Sequence, residues 1–227
     1  DWIAGVNDSH GTHVGGTIAA NRNGSGTHGV AWESRLYSGN TGGNDGMTYG
    51  PNQDYGYFYA VYNELAKSGV RAINNSWGSN RRVNSSYPGA EGYSGTPGTA
   101  TNPTEPKHHL YLKDLDTAKK AYYQFVVSGQ KNFMDAAYEV AKEYRIIQVF
   151  TAGNRDGMEE SYTRAMLPYF RPDAEKLWLN VTGQTDGNAQ RFNTAGHSKW
   201  WTIAAPGTKI KSPVVNVKTG NAEYDSW

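Results

Sequence analysis

The sequence contains no cysteine, which excludes disulfides and thiolate chemistry without fixing the compartment. No apolar run reaches about 18 residues, so no membrane-spanning helix and no membrane contact are expected from this segment. Neither sign of charge dominates: 22 Lys and Arg stand against 21 Asp and Glu, for a net charge of +1, with no long run of either. That balance reads as a solvated surface and excludes the basic stripe of a nucleic-acid partner. A signal peptide is also missing: the chain opens on "DWIAGVND", which reads as the interior of something longer. What is present is a chain of 227 residues, 37% hydrophobic, enough for one sizeable core and a single domain. With 27 Gly, 16 Tyr and 7 Trp it reads as loop-rich, a composition that secretion tolerates.

"VGGTIAA" places Val14, Thr17 and Ile18 on one helical stripe, so a short helix is predicted from near Ser9, with Asp8 and Ser9 as capping residues. Gly11, Gly15 and Gly16 each cost that helix about 1 kcal/mol relative to Ala, so close packing between other elements must hold it. "NRNGSGTHG" is a loop, "VAWESRLYSG" a turn and short strand, and "GNTGGNDGMTYGPNQ" a second loop. "YGYFYAVYNELAKS" has helical spacing and stops at Gly69. "VRAINNSWG" reads as a strand ending at Gly78. "NFMDAAYEVAKEYR" is a helix with Phe133, Ala137, Val140 and Tyr144 along one face, and "IIQVFTAGN" a buried strand. "LWLNVTGQT" and "WWTIAAPG" add two late strands. Helix followed by apolar strand, repeated, predicts an α/β fold with a mostly parallel sheet covered by helices on both faces. Ligands of such sheets sit at the carboxyl ends of the strands, where "NNSWG" and "TAGN" fall. Residues 79–117, rich in Ser, Gly, Pro and Thr, break the rhythm and read as an inserted surface arm.

His10 and His13 stand three positions apart among small residues. A metal clamp, a catalytic base beside a bystander, and ordinary packing all compete for such a pair. The zinc pattern H-E-x-x-H spaces its histidines at i and i+4 around a glutamate, whereas Gly11 and Thr12 lie between these two. No spacing favours His28, His108, His109 or His197 as a third ligand, and no metal site is expected. Asn154, following a strand and Gly153, can project its amide into a cleft or simply serve the turn in "AGNRDG".

"SHGTHVGGTIAA" (residues 9–20) resembles the histidine signature of the subtilisin-like serine proteases, H-G-T-H-V-A-G, with Gly15 in place of alanine. "GVAWESRLY" (29–37) is similar to a second family segment, with Trp32 replacing proline and Arg35 in a usually small or polar position. "INNSWG" (73–78) resembles the strand end that lies alongside bound peptide, and "TAGN" (151–154) the A-G-N whose asparagine donates to the oxyanion. "AAPG" with "IKS" (204–212) is similar to the stretch upstream of the nucleophile. The resemblance implies a three-layer α/β sandwich in which His10 is the catalytic base, His13 is structural and Asn154 is an oxyanion donor. It implies substrate-binding roles for Ser76, Trp77, Gly78, Ala152 and Gly153, with the Trp77 indole shaping a pocket where leucine is common. "IIQVFTAGN" and the 79–117 arm most resemble the protease passengers of bacterial autotransporters.

The order in this family is Asp, His, Ser. Asp1 and Asp8 lie too close before His10 to replace the aspartate. No Gly-Thr-Ser motif occurs, and Ser226 lacks both the flanking glycine and a following helix. The expectation is that residues 1–227 form the central part of one peptidase domain, incomplete at both ends, in a secreted or bacterial cell-surface serine endopeptidase. Its partners would be polypeptide substrates, with a translocator domain elsewhere in the parent chain. No cofactor is expected: family members often bind calcium after the histidine helix, but Asn21 stands where leucine is usual. The alternative is a non-catalytic module of the same fold acting as scaffold or binding surface.

Overall fold

The computed structural model describes residues 9–39, 55–76, 131, 133–154, 161, 163–185, 187, 192–216 and 219–226. Asp8, Trp77, Gly78, the 79–117 arm and the loop at 40–53 lie outside the described residues. The chain divides into two compact units, Asp1–Met47 with Pro206–Trp227, and Thr48–Ala205. The sequence predicts one domain.

In the first unit, helix α1 (His10–Ala19) packs on strand β5 (Lys211–Val215), which pairs antiparallel with β6 (Ala222–Ser226), Lys211 opposite Ser226 and Val215 opposite Ala222. The hairpin turns at Gly220, whose φ of +71° suits glycine, and its amide donates to Asn216 O at 2.7 Å. The glycines of α1 do permit close approach. A Cβ on Gly16 would lie 2.6 Å from Ser212 Oγ and against the Pro213 ring, and one on Gly15 would lie 2.9 Å from Leu36. Gly11 faces open space, and of the helix residues His13 alone is buried, so α1 is held on one side within its unit rather than enclosed. The chain after α1 folds back onto its end: Val30 N–H donates to Thr17 O and Ala31 N–H to Ile18 O, pairing carbonyls that a helix terminus leaves without intrahelical partners. Residues 30–33 form the expected turn, but 35–39 form no strand because no ladder partner flanks them among the described residues.

In the second unit, strands β1 (Ala72–Asn75), β2 (Ile147–Thr151), β3 (Trp178–Gln184) and β4 (Thr202–Pro206) form a sheet in that order. β1 and β2 pair parallel, as do β2 and β3, with Asn75 opposite Phe150 and Phe150 opposite Asn180. The α/β class with a parallel sheet is thus as the sequence predicts. Helices α2 (Tyr55–Lys67) and α3 (Phe133–Tyr144) pack together, α2 ending before Gly69 at φ +83°. The Phe58 ring lies 5.6 Å from that of Phe133, and Tyr144 Oη donates to Asn63 Oδ1 at 2.8 Å. A short helix, α4 (Leu167–Phe170), and 3-10 turns at Thr163–Met166, Pro172–Leu177 and Gly196–Trp201 complete the described elements.

One sheet face is buried, by alternation along β1, β2 and β3: Ile73 and Asn75, Gln148 and Phe150, Trp178 and Asn180. Phe150 and Trp178 stack at 4.9 Å, and the Trp178 indole N–H donates to Arg164 O at 2.9 Å. Asn75 and Gln148 on this face are joined in one run of hydrogen bonds. Tyr62 Oη donates to Asn75 Oδ1 (2.8 Å), Asn75 Nδ2 to Gln148 Oε1 (2.9 Å) and Gln148 Nε2 to Ala137 O (3.3 Å). On the opposite face Val149, Leu179 and Val181 are half-buried and Ile147 is 41% exposed, so β2 is buried on one side only. On the surface, Tyr55 Oη donates to Glu139; burial and this carboxylate hold the phenol above its ordinary range.

Candidate active site

The two histidines of α1 have different surroundings. His10, the first residue of the helix, is half-buried. His13 is 5% exposed, and its Nε2 donates to Ile210 O at 2.9 Å, because a carbonyl oxygen can only accept. Its backbone oxygen accepts from Thr17 Oγ1 (2.9 Å) and Ser212 Oγ (2.7 Å). Ser9 is the residue before the helix but caps no helical amide. Its hydroxyl donates to Val215 O (2.6 Å) and accepts from Val215 N–H (2.9 Å), so it ties the start of α1 to β5. The β5 backbone offers a donor and an acceptor at one point, and that pairing replaces the capping bond the sequence predicts. The histidine signature and the "IKS" segment therefore meet in the first unit through Ile210, Ser212 and Val215.

The strand ends of the second unit carry the other site residues. Because β1 and β2 are parallel and in register, their carboxyl ends lie side by side: Ser76 follows Asn75, and Ala152, Gly153 and Asn154 follow Thr151. Ala152 is fully buried and extends the ladder, its N–H donating to Val181 O at 2.8 Å. Gly153 N–H donates to Thr151 Oγ1 at 3.2 Å, and Gly153 takes φ +126°, a conformation that side chains rarely adopt. Asn154 then emerges exposed while Ser76 is half-buried. A polar amide on a tightly shaped turn at the carboxyl edge of a parallel sheet can donate to a ligand there. The structure thus brings Ser76, Ala152, Gly153 and Asn154 to one edge of one unit and places His10 in the other.

Two further residues belong to this edge. Asn193, fully buried, lies directly on Gly153, and Asn75, also buried, anchors the end of β1 through Tyr62 and Gln148. Two adjacent asparagines in an apolar strand run were the only signal for Asn75. Among the described residues no group of three or more His, Asp and Glu side chains could hold a metal ion.

The sequence pattern of the Subtilase family matches residues 3–226. Two curated proteins from Serratia marcescens, each an extracellular serine protease, are 29% identical to this chain. One alignment covers 94% of the chain and 20% of the relative, the other 91% and 19%. The chain thus spans about a fifth of the length of these relatives. Among solved structures, the MycP3 protease of the type VII (ESX-3) secretion system is 22% identical with a TM-score of 0.48, covering 95% of this chain and 53% of its own. The prenylagaramide maturation protease PagA is 14% identical with a TM-score of 0.39, covering 76% and 43%. With the family pattern matched almost from end to end, the chain belongs to the subtilase family.

Proposed function

We propose that this chain supplies the general base and one oxyanion donor of a secreted serine endopeptidase. The nucleophilic serine and the orienting aspartate come from sequence outside residues 1–227. Acyl transfer at a peptide bond needs a base within about 3 Å of the nucleophile and donors where the carbonyl oxygen becomes charged. His10 takes the serine proton and returns it to the leaving amine. Asn154 Nδ2 donates to the developing oxyanion. Ser76 lines one side of the extended substrate and Ala152 and Gly153 the other, and Trp77 and Gly78 keep the substrate-binding role that the resemblance implies. The substrates are polypeptides. Extracellular location is supported by the names of the Serratia relatives.

The observation that carries this reading is the exposed Asn154 on the Gly153 turn that follows β2, the strand paired with the one Ser76 follows. A neutral amide donor matters most once the carbonyl oxygen turns negative, so it acts on the transition state and hardly on substrate binding. In the full-length protease, Asn154→Ala is expected to lower kcat about 10²–10³-fold with KM nearly constant, the size of the loss when subtilisin's oxyanion asparagine is removed. Asn154→Asp should be worse, since a carboxylate accepts hydrogen bonds and repels the oxyanion. A large rise in KM with kcat preserved would make Asn154 a binding or turn residue and end the oxyanion assignment.

A further inference from the structure

We infer that Asn193, held by Thr182, is a positioning residue that fixes the Gly153–Asn154 turn and thereby aims the Asn154 amide. The inference rests on the proposed role of Asn154 and names a partner for it.

Gly153 is confined from three sides. The ladder bond from Ala152 N–H to Val181 O holds the chain before it, and Thr151 Oγ1 accepts its own N–H. Its carbonyl accepts from Asn193 N–H at 3.2 Å. The Asn193 side chain occupies the place a Gly153 Cβ would take, with Oδ1, Cγ and Nδ2 at 2.5, 2.6 and 2.9 Å from that position. Gly153 is therefore required twice, by its φ of +126° and by the amide lying against it.

The segment that carries Asn193 is itself pinned at each residue. The Phe192 ring covers Gly183, where a Cβ would meet it at 2.5 Å. Thr182 Oγ1 donates to Asn193 O at 2.6 Å. Ser161 Oγ lies within hydrogen-bond distance of both Thr194 O (2.9 Å) and Ala195 O (3.1 Å). Asn180 Nδ2, fully buried, donates to that serine at 2.7 Å. Residues 192–195 thus form a fixed strap across the end of β3, and the turn leans on it. An oxyanion donor works by being placed before the charge develops, and misplacement by about 1 Å can cost 10²-fold. The strap, half-buried apart from the fully buried Asn193, keeps an exposed side chain on a glycine turn from wandering.

The test is a double-mutant cycle in the full-length protease: Asn154→Ala, Asn193→Ala, the double variant, and Thr182→Val as a milder release of the strap. Asn193→Ala is expected to lower kcat about tenfold with KM within about twofold. In the Asn154→Ala background it should lower kcat no further, because there is then no amide to aim. Thr182→Val should show the same pattern at about threefold, and it carries the test alone if Asn193→Ala does not fold. Unchanged kcat in either single variant, a loss that multiplies onto that of Asn154→Ala, or a change in KM alone overturns the positioning role. If Asn154→Ala itself leaves kcat unchanged, the oxyanion reading fails first; a large Asn154 effect with an independent Asn193 effect sinks only the inference made here.

Discussion

His13→Ala should act on stability. The ring is 5% exposed, and its Nε2–H meets Ile210 O at 2.9 Å. Truncation removes the donor to a partly buried carbonyl, at about 1–2 kcal/mol. It also leaves a ring-sized void between α1 and the chain entering β5, at roughly 2 kcal/mol. The sum is about 3 kcal/mol, and for a chain of this size each kcal/mol moves Tm by about 2–4 °C. Thermal unfolding followed by circular dichroism should therefore show a drop of about 6–12 °C for His13→Ala. His10→Ala, at a half-buried position, should cost less stability than His13→Ala. Equal Tm values for His13→Ala and the parent chain would refute the packing assignment, and so would an equal loss in both variants.

Further outcomes follow from the same contacts. Gly16→Ala should destabilise by about 1–3 kcal/mol in thermal melts, because its Cβ meets Ser212 Oγ and Pro213. Gly11→Ala, with nothing nearby, should instead stabilise α1 by up to about 1 kcal/mol. Tyr62→Phe strips the donor from the buried Asn75 Oδ1 and should cost about 1–3 kcal/mol in urea unfolding. Lys142 Nζ (2.5 Å) and then Tyr138 Oη (2.8 Å) hold the Asp173 carboxyl below its ordinary range. A lowered folded-state value means stability present above the unfolded aspartate pKa near 4 and lost as pH falls through the folded value. The pair is surface-exposed, so the loss should not exceed about 1 kcal/mol, and Asp173→Asn should flatten that part of the pH profile.

Much of this fold was legible because its signals are local. The α2 and α3 spacings, the Gly69 stop and the apolar runs of β2 and β3 need only neighbouring residues to be read. The β5–β6 hairpin escaped because Pro213 interrupts one strand and β6 is exposed throughout, leaving no alternation to see. Ser9 was expected to cap α1, yet a donor and acceptor from Val215, near the far end of the chain, outcompete the local amide. Asn154 and Ser76 were legible as strand-end residues, and register alone decides that their strand ends are adjacent. Asn193 carries no local pattern at all. Its place against Gly153 exists only once β2 and β3 have paired and residues 192–195 have crossed the end of β3.

Covalent labelling by a fluorophosphonate probe tests the central claim most directly, because only an activated serine beside a working base and oxyanion site reacts. The full-length protease should label one serine per molecule, at a position outside residues 1–227. Its His10→Ala variant should fold and remain unlabelled. Labelling of the 227-residue chain by itself, or undiminished labelling after His10→Ala, would contradict the account.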